Sequence, residues 1–229
     1  MIDAVLFDFN GVVIDDEPLH DESWREVLVP LDINYTDEEY YGPLLGVPDA
    51  EFLRLLLARR GVEMSPSRQL ELLAAKSVIY DRLVRERPVD LPGLAAFVRD
   101  LAGHVPVGVV SGALRHEIEY HLARLDIAEC VAAVLAAGEY AKPKPDPAPY
   151  LTGLAKLNEA VGRAVRPGEV VVIEDSTNGV KSALAAGMAV VGVTARTDPE
   201  RLPGCFAWVA DFNGCDYDWL VRTGKGNAR

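Results

Sequence analysis

Ala4-Val5-Leu6-Phe7-Asp8-Phe9-Asn10-Gly11-Val12-Val13 decides how the chain is read. Its first half is a continuous apolar run of strand-favouring residues, the pattern of a strand covered on both faces. A carboxylate, Asp8, follows at once, and then Gly11, a residue that lets the backbone turn and approach a ligand closely. In open α/β sheets the ligand sits beyond the carboxyl ends of the strands, so Asp8 stands where chemistry is usually sited. Taken alone, an Asp after a strand serves equally well to cap a turn. The remainder of the chain weighs against that bland role by supplying further strand-end polar groups.

At 229 residues the chain is long enough for one sizeable core, or a main domain with a smaller insert. The formal net charge of −12 argues against nucleic acid or an anionic membrane surface as a partner, since neither is attracted over a distance. No targeting segment or membrane-spanning run is read. Cys130, Cys205 and Cys215 lack metal-ligand spacing and fit a reducing compartment. The expectation is a cytoplasmic monomer or weak dimer.

Immediately after the first strand the strand–helix alternation stops. Asp16 is placed to cap a helix opening at Glu17-Pro18 and carrying Leu19, Trp24, Val27 and Leu28. A loop with Tyr40, Tyr41 and the Gly46-Val47 turn follows. Asp49 is expected to cap a second helix with Phe52, Leu53, Leu56 and Leu57, stopped at Gly61. Ser65-Pro66 opens a third, with Leu70, Leu73, Tyr80 and Val84 at helical spacing, ended by Pro88. Residues 15–88 therefore read as an all-helical insert. Residues 1–14 and 89–229 read as an α/β unit, because strands near 105–110, 132–135, 169–173, 189–193 and 207–209 alternate with helices. Repeated βα units call for a parallel sheet with helices on both faces. The last residues, Gly224 to Arg229, are expected to fray.

The strand ends then line up: Asp8, Ser111, Lys142, and Glu174 with Asp175. These groups suit phosphoryl transfer. An Asp can accept the phosphoryl group covalently, splitting one displacement into two. Bringing two anions together needs a Mg²⁺ held by carboxylates and a Lys ammonium. Ser111, with the amides of Gly112 and Ala113 at a helix start, is suited to the remaining phosphate oxygens.

In Phe7-Asp8-Phe9-Asn10-Gly11-Val12, Val110-Ser111-Gly112, Lys142-Pro143-Lys144-Pro145-Asp146 and Ile173-Glu174-Asp175-Ser176-Thr177-Asn178-Gly179, in this order, the chain resembles the haloacid dehalogenase superfamily. The likeness is to its β-phosphoglucomutase-like phosphatases, and it spans nearly the whole chain. It implies a Rossmann-like core with an inserted helical cap that closes over the site. It further implies Asp8 as the nucleophile, Ser111 as a phosphoryl ligand, and Lys142 as the cation that neutralises both. Mg²⁺ would be held by Asp8, Asp175 with Glu174, and the backbone carbonyl of Asn10. Lys144 falls at a variable position of the motif. His20 matches a histidine common near the start of the cap, or is a surface or capping residue.

One position departs from that pattern. The family usually has a second Asp where this chain has Asn10; it protonates the leaving oxygen and then activates water. An amide donates a hydrogen bond but neither takes nor gives a proton at neutral pH. Three accounts remain open: a slow phosphatase, recruitment of another group among Asp15, Asp16, Glu17 and His20, or a residue introduced to trap a substrate. Asn10 counts against a mutase, which needs reversible proton transfer at two hydroxyls. So does Asp49, which stands where mutases carry a phosphate-binding Arg. Lys76 is read as a solvated surface residue. Tyr40, Tyr41 and Leu45 are candidates for touching the substrate body, or simply for packing. A small phosphomonoester with a polar body is the expected ligand; the competing reading is a phosphate-ligand binding protein with negligible turnover.

Overall fold

The computed structural model describes residues 2–45, 47–87 and 89–226. The chain divides into two compact units, Met1–Asp15 with Asp90–Arg229, and Asp16–Val89.

The first unit is built on strands β1 (Ala4–Phe7), β2 (Val107–Val110), β3 (Val131–Leu135), β4 (Val170–Glu174), β5 (Ala189–Val193) and β6 (Ala207–Val209). They form one parallel sheet in the order β3-β2-β1-β4-β5-β6. Every residue of β1, β2 and β4 is buried, which is why these strands read as apolar runs up to the Glu174 that ends β4. The strand order reverses between β1 and β4, which pair from Ala4 with Val170 to Phe7 with Ile173. Such a reversal opens a crevice at the carboxyl ends of its two strands. Asp8 follows one of them and Glu174 ends the other.

The second unit is helical: α1 (Glu17–Leu28), α2 (Asp37–Tyr40), α3 (Asp49–Arg60) and α4 (Pro66–Glu86). Its core gathers Trp24, Leu28, Phe52, Leu53, Leu56 and Leu72 among others. Three local expectations are corrected. The loop after α1 contains the short helix α2, which a capping box formed by Thr36 and Glu39 holds. Asp49 is the first residue of α3 and does not cap it; Pro48 precedes the helix, and the Asp49 carboxylate is drawn to Trp24 and Lys76 instead. On α4 the buried stripe is Leu72, Lys76, Tyr80, Leu83 and Val84, whereas Leu70 is exposed. Gly46 and Pro88, named above as turn and helix stop, lie outside the described residues.

Returning to the sheet, the chain adds α5 (Leu94–Ala102), α6 (Arg115–Arg124), α7 (Ala148–Val161), α8 (Thr177–Ala185) and α9 (Tyr217–Gly226). Alternate side chains of β1 face opposite layers. Ala4 and Leu6 join a cluster with Tyr150, Leu154 and Leu157 of α7 and Val180 and Ala183 of α8. Phe7 meets Phe97 of α5 edge-on and lies beside Phe212. Full burial of a ring such as that of Phe97 contributes about 2–3 kcal/mol. α9 runs to Gly226, so it includes the first residues of the stretch expected to fray, and it is anchored ahead of them by buried Leu220 and by Trp219 against Phe97. Residues 227–229 lie outside the described residues. Among the described residues no helix is long and apolar enough to cross a membrane.

Candidate active site

The backbone delivers Asp8 directly from the pairing of β1 with β4, its amide donating to the Ile173 carbonyl at 2.9 Å. Asp8, Glu174 and Asp175 each offer a carboxylate oxygen within 4.8 Å of the others. Two glycines make room for them. A β-carbon on Gly11, whose φ is +77°, would fall 2.0 Å from Asp175 Oδ2. One on Gly179 would fall 1.6 Å from Glu174 Oε1.

A single ammonium bridges the cluster. Lys144 Nζ donates to Asp8 Oδ1 at 2.5 Å and to Glu174 Oε1 at 2.7 Å. Lys142, expected in that role, is 73% exposed, with Asp146 3.6 Å away. The correction has a simple origin. Lys142-Pro143 and Lys144-Pro145 repeat the same dipeptide, so the motif fits the sequence in two registers. What selects the second is Tyr150 at the start of α7, fully buried, whose hydroxyl donates to Glu174 Oε1 at 2.8 Å and lies 3.0 Å from Lys144 Nζ.

Glu174 is the most heavily bonded member. Besides Lys144 and Tyr150 on Oε1, its Oε2 accepts from the amides of Asp175 and Ser176 at 3.0 Å each, and from Ser176 Oγ. It therefore fixes Lys144 and the turn into α8, in addition to being one of three carboxylates suited to an ion. Three carboxylates crowd one ammonium in this buried site. Burial, with the Glu174 charge added and Lys144 opposing, raises Asp8 to about 7. Burial, then the charges of Glu174 and Asp8, pushes Asp175 well above the usual carboxylate range. Burial alone would lower Lys144, but Asp8 and Glu174 outweigh it and hold the ammonium charged. Crowded, oxygen-only donors of this kind fit a hard divalent cation such as Mg²⁺.

At the end of β2, Ser111 is almost fully buried and its amide donates to the Leu135 carbonyl at 2.9 Å. Its Oγ accepts the Ala113 amide at 2.9 Å, so that amide, expected to face a phosphate, is used inside the turn. Among the described residues the Ser111 hydroxyl proton and the Gly112 amide remain available as donors. Asn10 sits two residues past Asp8 in a turn where its backbone bridges to Ile14.

A family model described as haloacid dehalogenase-like hydrolase matches residues 2–187. The chain belongs to that family. It is 30% identical over 188 residues to a phosphorylated carbohydrates phosphatase of Thermotoga maritima, covering 82% of each chain. To β-phosphoglucomutase of Bacillus subtilis it is 30% identical over 195 residues, covering 83% of this chain and 82% of the other. A crystal structure of β-phosphoglucomutase from Clostridium difficile superposes with a TM-score of 0.81 over the full length of both chains, at 23% identity. That likeness shows the fold.

In this haloacid dehalogenase-like hydrolase the remaining candidate residues lie in the helical unit or beside its junction. Lys76, read above as a surface residue, is only 2% exposed. Its ammonium donates to Asp49 Oδ2 at 2.8 Å and to His20 Nδ1 at 2.5 Å, and stands 5.0 Å from the centre of the Tyr80 ring. His20 Nε2 then donates to Asp16 Oδ2 at 3.1 Å, an oxygen that also accepts from Tyr80. The signal for Lys76 was its place on the buried stripe of α4, one turn from both Leu72 and Tyr80. Glu17 accepts from the Tyr40 hydroxyl at 2.8 Å, and burial raises its carboxyl. Asp15 is paired with Arg196. Tyr40 is buried in the helical core, so packing is its role there.

Proposed function

We propose that this hydrolase removes phosphate from small phosphorylated carbohydrates or related monoesters, using Asp8 as nucleophile and Mg²⁺ as cofactor. The observation that carries the reading is the Asp8 carboxylate fixed beside the Lys144 ammonium and two further carboxylates at the carboxyl ends of β1 and β4. The names of the curated relatives supply the substrate class. In this reading residues 16–89 act as the cap of the core, and the chain works as a cytoplasmic monomer or weak dimer.

Asp8 attacks phosphorus while the ester oxygen leaves with the bonding pair and takes a proton from solvent, giving an aspartyl-phosphate. Water then attacks that phosphorus, giving up a proton to solvent, and releases inorganic phosphate and the Asp8 carboxylate. Ser111 Oγ and the Gly112 amide hold the non-bridging oxygens, and Lys144 offsets the charge gathered on them and on Asp8. Asp8, Asp175 and the Asn10 carbonyl would hold Mg²⁺, with Glu174 keeping Lys144 in place. When bound, the ion neutralises charge between nucleophile and phosphate and keeps Asp8 ionised. The Asn10 amide can donate to the departing oxygen without protonating it. Esters with acidic leaving groups are therefore favoured, and a mutase cycle is disfavoured.

A Mg²⁺-supplemented assay of sugar phosphates and an aryl phosphate tests this. Steady-state release of phosphate, abolished by Asp8→Ala and by chelation, is the expected result. Saturable, Mg²⁺-dependent phosphate binding with no turnover on any ester would instead favour a binding protein, the reading that Asn10 itself motivates.

A further inference from the structure

Tyr140 follows β3 in the segment that leads to Lys144, and no role has been assigned to it. Its ring packs against the cluster containing Val110, Leu135 and Tyr150, which fixes its direction. The hydroxyl lies 3.6 Å from where a β-carbon on Gly112 would stand, beside the Ser111-Gly112 turn. Among the described residues no protein group accepts or donates a hydrogen bond to it. The phenol oxygen thus stands beside the Gly112 backbone, next to the amide offered at the end of β2.

The position is also braced. The Ala137 amide donates to the Ala113 carbonyl at 2.9 Å, tying the segment to the turn. Next to Tyr140, the Glu139 carboxylate accepts from Arg115 Nη2 at 2.6 Å and is paired with Lys156 of α7. The charges of Lys144 and Asp8 reach the phenol, while burial keeps it protonated well into the alkaline range. A protonated O–H group therefore stands beside the turn that offers the Ser111 hydroxyl and the Gly112 amide.

We propose that Tyr140 is a substrate-binding residue whose hydroxyl donates to a non-bridging phosphoryl oxygen over Gly112. The choice of a phosphoryl ligand rests on the function proposed above. Such a bond exists in both the bound and the activated state, so it lowers KM and the dissociation constant of product phosphate with little change in kcat.

Inorganic phosphate binding to the full-length chain in Mg²⁺, measured by calorimetry, provides a test independent of turnover. Tyr140→Phe keeps the ring and should weaken phosphate about tenfold, as loss of a hydrogen bond to a charged group does, with unchanged Tm. Tyr120→Phe, a substitution at an exposed tyrosine on α6, should leave the affinity as it is. Where an ester is turned over, KM should rise about as much as the dissociation constant. A Tyr140-dependent affinity without any turnover would sustain this proposal and defeat the phosphatase reading. Equal affinity in Tyr140→Phe and the parent chain, or no phosphate binding by the parent, would overturn it.

Discussion

Lys144 Nζ stands 2.5 Å from Asp8 Oδ1, the one ion pair to that carboxylate among the described residues. The bond joins residues 136 positions apart, and it is secured from behind by Glu174 and Tyr150. Lys144→Ala should therefore lower kcat/KM by about 10²–10³, the usual cost of removing one preorganised donor from developing charge. Lys142→Ala, at an exposed side chain, should change it less than about threefold. Parallel kinetics on one phosphomonoester decide between the two lysines.

Asn10→Asp restores a group able to transfer protons. If Asn10 limits the reaction, kcat on an alkyl phosphate should rise by about 10²–10⁴, with a smaller gain on an aryl phosphate whose leaving group needs no acid. A similar gain on both esters would mean that the amide limits some other step.

The buried carboxylates link pH to stability. Burial raises Asp8 from 3.8 to about 7, so between those values the folded chain binds a proton that the unfolded chain has released. This contribution is fully present below pH 3.8 and is lost as the pH rises through about 7. In chelator, Asp8→Asn should therefore gain in Tm relative to the parent as pH rises across that window, and Mg²⁺ should shrink the gap. Thermal melts at pH 4.5 and pH 7.5, about the two ends of the window, would reveal the trend.

Within the helical unit, the buried Lys76 ammonium depends on Asp49. Asp49→Ala leaves that charge without a carboxylate and should destabilise by about 3 kcal/mol. This is the low end for breaking a buried pair, because Asp49 is 42% exposed and water can enter. Lys76→Met combined with Asp49→Ala should recover much of the loss, replacing a pair by apolar packing. Urea unfolding of the two single variants and the double variant closes the cycle.

Much of the molecule was legible because its signals are local. Ala4 to Phe7 is apolar without interruption, as only a strand buried on both faces requires, and Asp8 follows with no gap. The glycines at 11 and 179 are likewise written in short motifs, though their purpose, clearing space for Asp175 and Glu174, belongs to the folded chain. Residues within one strand–turn unit keep a fixed spatial relation whatever surrounds them, so the sequence alone determined the α/β class, the helical insert and the acidic strand ends. Tertiary structure decided the rest. It chose Lys144 over Lys142, because a repeated Lys-Pro has two registers and the partners that separate them, Glu174 and Tyr150, lie elsewhere in the fold. It buried Lys76, because Asp49 and His20 come from other helices. It set Tyr140 beside Gly112, a meeting of two loops that no spacing along the chain encodes.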